Sequence, residues 1–195
     1  MIHIGIDYGS KLAGTTVICY LERQKIQFVS AEKGQDADQM IHQFLKDHQN
    51  VDAVFMDAPL SLPHVYIDIH PETADFFYRS CDRAVKAMSP MFLGGLTARA
   101  MKLAHGYKDR DIEFFESYPA ALAKELSLDR LGYKKSIQFI SEVTMSIHSK
   151  YELSLASVPK NWHEVDALLA YLIGWRFSRK EHQVVGEPSE GLIYY

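Results

Sequence analysis

Residues 2–7 alternate in polarity. Ile2, Ile4 and Ile6 fall on one face, and His3, Gly5 and Asp7 on the other. That period of two predicts a strand. After a Gly-Ser turn, Ala13–Tyr20 is rich in Thr, Val and Ile, and Lys25–Ala31 follows as a third strand candidate. Three strands with short links predict an antiparallel meander. Residues 37–48 place Met40, Ile41, Phe44 and Leu45 at helical spacing. Val51–Met56 is apolar on both faces, as expected of a central strand. A helix joining strands of one sheet implies a parallel pair. The next clear strand is Ile112–Glu116, after helical stretches near 72–88 and 96–105. Helices are expected near 120–127 and 134–149, and a last one from Asn161, where Asn161 and Glu164 have capping-box spacing. Gly191–Tyr195 reads as a short edge strand. The fold class is α/β.

Length and charge narrow the picture. The 195 residues suit one domain, 1–195, interrupted by a helical, basic insertion at about 61–110. A net charge of −4 argues against a generic polyanion binder, so a nucleic-acid surface would be a local patch. Cys19 and Cys81 lack metal-site spacing and are expected as buried, reduced thiols. No run of 18 apolar residues and no signal-peptide pattern occurs, so no membrane association is expected and a cytoplasmic location follows by default.

Four carboxylates end or interrupt apolar elements. Asp7 ends the first strand, Asp57 follows the buried strand, Glu116 follows Phe114-Phe115, and Asp166 shares a helical stripe with Leu169 and Ile173. Each has an ordinary reading taken alone: turn residue, strand end, ion pair, helix-dipole partner. Taken together, several carboxylates on apolar surfaces repel one another and resist ionisation. A divalent cation removes the repulsion, and Mg²⁺ or Mn²⁺ suits an all-oxygen site. Two such ions would clamp the attacking and leaving oxygens of a phosphodiester. Gly5, on the Asp7 face, marks close approach by a ligand or another backbone, or room for a bulky neighbour.

The insertion Arg79–Asp111 holds seven basic residues, including Arg79, Arg83 and Arg99, against three acidic ones. With Lys11 they are candidate phosphate contacts. The alternative is a solvated helix face. His163, three residues before Asp166, is the histidine nearest the acids in sequence.

Gly5-Ile-Asp7-Tyr-Gly9-Ser-Lys11-Leu-Ala-Gly14-Thr resembles the opening of ribonuclease H-like nucleases, including the RuvC- and YqgF-type Holliday-junction resolvases. The longer set is more similar to a family of predicted RNase H-like nucleases, domain of unknown function 429. It comprises Gly5–Thr15, Asp57-Ala-Pro-Leu60, Arg79–Arg83, Phe115-Glu116-Ser-Tyr-Pro119, His163-Glu-Val-Asp166-Ala-Leu and Gly186–Ile193. The resemblance implies a ribonuclease H-like fold: a mixed five-stranded sheet, three antiparallel strands then parallel ones, flanked by helices. It implies that Asp7, Asp57, Glu116 and Asp166 are the acidic catalytic positions, with Asp7, Glu116 and Asp166 as metal ligands.

The expected activity is metal-dependent hydrolysis of DNA or RNA, branched substrates included, with two Mg²⁺ or Mn²⁺ ions and with a homodimer left open as the assembly. Two rivals stand beside it. One is a binding module of the same fold without catalysis. The other is a phosphotransferase of the actin-like or sugar-kinase type, which the strand-one motif also resembles, but which needs a second such domain that 195 residues do not supply.

Overall fold

The computed structural model describes residues 1–68 and 75–195. Five strands form one mixed sheet in the order β3-β2-β1-β4-β5. They are β1 (His3–Asp7), β2 (Val17–Glu22), β3 (Lys25–Ser30), β4 (Ala53–Asp57) and β5 (Glu113–Glu116). The first three pair antiparallel, and β4 and β5 continue parallel to β1. Arg23 and Gln24 both take positive φ in the two-residue β2–β3 turn, the conformation whose twist matches a tight hairpin.

Helices cover both faces. On one side lie α5 (Pro119–Glu125), α6 (Ile140–Tyr151) and α7 (Trp162–Ser178), with a core that includes Phe55, Leu122, Val143 and Leu168. On the other lie α1 (Ala37–Asp47) and α4 (Gly95–His105), around Ile4, Ile6, Ile41, Met56 and Leu103. Two short helices, α2 (Ser80–Val85) and α3 (Pro90–Leu93), complete the insertion between β4 and β5. Residues 165–174 of α7 are all buried, so this helix has no solvent face along its middle.

Several expected boundaries move. The second strand begins at Val17 because the preceding loop is tied elsewhere: Lys11 and Leu12 carbonyls accept from Ala37 and Gly34. The helix expected at 72–88 is confined to Ser80–Val85 within the described residues; positions 72–74 lie outside them. Asp75 accepts from the Phe77 and Tyr78 N–H groups there, a turn that competes with helix. The helix expected from 134 starts at Ile140, since Gly132 and Lys134 both take positive φ. Asn161 caps α7 by accepting from the Glu164 N–H, but Glu164 reaches back to the Lys160 N–H, not to Asn161 itself. The last strand, β7 (Gly191–Tyr194), pairs with an unforeseen β6 (Val184–Glu187) in a hairpin of its own. That hairpin docks at the end of β5, where the Tyr118 N–H donates to the Tyr194 carbonyl. Both cysteines are free and buried. Among the described residues, no helix is long and apolar enough to cross a membrane.

Candidate active site: a carboxylate cluster at the strand ends

Asp7 and Asp57 are brought side by side by strand register. They are direct partners at the carboxyl ends of parallel strands β1 and β4, roughly 5 Å apart in backbone terms. Both follow the parity of Phe55 and Gly5, so both face α7. Gly5 explains how close that helix comes. A Cβ at this position would lie 2.1 Å from the Tyr171 nitrogen and 2.5 Å from the Ala167 carbonyl oxygen. The approaching group is therefore another backbone, and α7 lies directly against β1. Asp166, one residue before Ala167, is carried to the same strand ends.

Asp166 is 3% exposed and is held from outside the helix. The Tyr133 hydroxyl donates to its Oδ1, and the Lys134 ammonium lies 2.7 Å from its Oδ2. Burial pushes its pKa up to about 6, against the opposing pull of Lys134. Asp7 is bonded at 2.7 Å to His163 Nδ1, a contact that raises the His163 pKa. Asp57 differs from both. Among the described residues its carboxylate makes no hydrogen bond or ion pair, and burial followed by the charges of Asp7 and Asp166 pushes its pKa well above the carboxylate range. Ionising Asp57 and Asp166 together is thus opposed, as close like charges require. Asp7, Asp57 and Glu116 line a cleft of about 250 Å³ at the strand ends, walled by Tyr8, Met88, Leu96 and Tyr118.

Glu116 does not join this cluster. Its register partner is Met56, one residue short of Asp57, so it points to the opposite face of the sheet. There its two oxygens take a bidentate bond from Arg79, at 2.6 and 2.7 Å, and Oε2 also accepts from the Leu60 N–H. Arg79 binds Asp82 through Nε and Nη2 as well, and Ser61 through Nη1. Burial opposes the guanidinium charge, but the hydrogen bonds it donates to Glu116 and Asp82 outweigh that and hold the group protonated.

Two of the expected site residues are engaged with each other here. Arg79, expected as a phosphate contact, is 0% exposed. Glu116, expected as a metal ligand, has its oxygens committed to Arg79 and Leu60.

The remaining basic candidates are paired outside the cluster. Arg99 bonds Asp38 and the Gly9 carbonyl and lies over the Tyr8 ring, clamping α4 to α1 and to the turn after β1. Arg83 pairs with Asp75 on the surface. Lys11 pairs with Asp36, the N-cap of α1, at 2.9 Å. Three of the seven basic residues of the insertion, Arg79, Arg83 and Arg99, are therefore ion-paired with neighbouring acids. Tyr133 and Lys134 carried no signal in the sequence, because a turn 32 residues before Asp166 gives no spacing to read.

Among the described residues, no group of three or more His, Cys, Asp or Glu side chains is arranged as it stands to hold a metal ion. Asp7 and Asp166 instead face His163 and Lys134. The donor chemistry of the three aspartates nonetheless suits a hard cation: all oxygen, crowded, and short of positive charge. Comparison with models of known families finds no match to this chain. Comparison with curated proteins finds none either.

Proposed function

We propose that this chain is a metal-dependent hydrolase of nucleic-acid phosphodiesters, built on a ribonuclease H-like fold. The observation that carries the reading is the meeting of Asp7, Asp57 and Asp166 on one sheet face from three separate elements. The mixed sheet, with three antiparallel strands followed by two parallel ones, agrees with the fold implied by the Gly5–Thr15 motif.

In this reading Asp7, Asp57 and Asp166 hold Mg²⁺ or Mn²⁺. The bound cation would supply Lewis-acid polarisation of a phosphoryl oxygen and offset its developing charge. The chain's own residues set up that chemistry. Gly5 lets α7 carry Asp166 to the strand ends. His163 fixes the rotamer of Asp7. Tyr133 fixes that of Asp166. Glu116 acts at a distance, anchoring the Leu60 backbone just beyond Asp57 through the Arg79 network.

A second reading has one observation in its favour. Lys134 already sits on Asp166, and no preformed three-ligand cage stands among the described residues. That suits a module which keeps the fold and binds a partner without catalysis.

The deciding experiment is a cleavage screen with Mn²⁺ on single-stranded, duplex, hybrid and four-way nucleic acids, run beside Asp7→Asn. Cleavage by the wild type and its loss in the variant are expected. Cleavage that survives Asp7→Asn would overturn the mechanism. Mn²⁺ binding without cleavage of any substrate would favour the binding module.

A further inference from the structure

The turn Gly132-Tyr133-Lys134 does something unusual at the acid cluster. It inserts an ammonium where the site otherwise collects three carboxylates and His163. Two left-handed residues make the turn, Gly132 at φ 89° and Lys134 at φ 58°. A non-glycine residue in that region is costly and persists where surrounding contacts hold it. Those contacts are present. The Tyr133 ring meets Trp162, the first residue of α7, edge to face at 5.4 Å, and its hydroxyl bonds Asp166. The Lys134 ammonium bonds the other oxygen of Asp166. The burial of the two partners is unequal: the Asp166 side chain is 5% exposed and that of Lys134 48%. Asp166 is fixed, while Lys134 has open solvent to swing into.

We propose that Lys134 is a built-in counter-ion that holds the aspartate cluster together when no divalent cation is bound, and that yields Asp166 when one binds. The inference rests on the metal-binding reading above and adds a positioning residue to it. An ammonium and a divalent ion compete for the same carboxylate oxygens, and two cations a few ångströms apart repel. Binding of the ion therefore requires the flexible partner to leave, and the exposed lysine stem permits that. The arrangement keeps the apo site from opening under its own repulsion, and it sets the cation affinity lower than three aspartates alone would give.

Calorimetric titration of Mn²⁺ into the wild type, Lys134→Met and Asp7→Asn tests this. Lys134→Met is expected to bind Mn²⁺ about tenfold more tightly than the wild type, because a competing charge is gone. Asp7→Asn is expected to lose binding. Wild-type binding that is unchanged or weakened in Lys134→Met would overturn the counter-ion role and leave the metal site standing. Absence of Mn²⁺ binding in the wild type would overturn the metal reading, and this inference with it. A second measurement needs no variant: acylation of Lys134 in the wild type, followed by peptide mass spectrometry. Its modification is expected to rise at saturating Mn²⁺ as the side chain is released. A footprint that the ion does not change would overturn the proposal, including in the case where Lys134→Met fails to fold.

Discussion

Two groups of carboxylates stand at the same end of the sheet, on opposite faces, and are treated differently. On the α1 face, Glu116 and Asp82 enclose Arg79, and every donor on its guanidinium meets an oxygen. On the α7 face, Asp7, Asp57 and Asp166 share Lys134 and His163, both about half-exposed, and Asp57 has neither. The first group is closed and satisfied, as a buried charge must be if it serves only the fold. The second keeps negative charge concentrated, with only one ammonium and one imidazole against it among the described residues. That is a cost to folding with no structural return, and such costs gather where a ligand will offset them.

The largest expected effect breaks the closed group. Arg79→Met leaves Glu116 and Asp82 buried without their cation and is expected to cost about 3–5 kcal/mol in denaturant unfolding. A loss below about 1 kcal/mol would mean that the network is not structural and would reopen Glu116 as a ligand.

The open group should respond with the opposite sign. The Asp57 pKa is raised in the folded state. Its contribution to stability is therefore fully present below the unfolded value near 4 and is lost as pH rises through the folded value. Asp57→Asn removes that penalty and is expected to stabilise the protein at pH 7 by about 0.5–2 kcal/mol. The gain should shrink toward pH 4. Asp166, with its pKa at about 6, places part of the same loss between pH 4 and 6. Thermal unfolding from pH 4 to 8 would check this, and a destabilised Asp57→Asn at pH 7 would contradict the assignment of excess charge. The smallest effect is expected at Arg83→Ala. Its pair with Asp75 is on the surface, where such pairs contribute under about 1 kcal/mol.

Much of this architecture was legible in the sequence. The alternation of residues 2–7 gave β1, the doubly apolar Val51–Met56 announced a central strand, and the Asn161 cap located the start of α7. Asp7, Asp57 and Asp166 were singled out by where they interrupt those patterns, and the fold brings them together. Glu116 was singled out on the same ground and separates from them. It follows Phe115, which pairs with Phe55 on the α7 face, so the next residue has to point the other way. Strand parity decides this, and a shift of one residue reverses it. Nothing local reveals the register between β4 and β5, because the insertion between them spans more than 50 residues.

The basic insertion shows the same limit from the other side. Its positive charge is a property of composition, while its availability is a property of packing. Arg79, Arg83 and Arg99 find Glu116, Asp75 and Asp38; Asp75 and the second partner of Arg79, Asp82, are near in the chain, while Glu116 and Asp38 are not.

The sequence by itself determined the five strands of the main sheet and the approximate place of most helices, the α/β class, and the positions where acids meet apolar surface, because these follow from local periodicity. The tertiary structure alone decided which acids share a face, which are neutralised, and that Lys134 reaches Asp166. Those outcomes depend on register and on approach between distant segments. Gly5 joins the two levels: the sequence marks a missing side chain, and only the fold shows that α7 fills the space and carries Asp166 to Asp7.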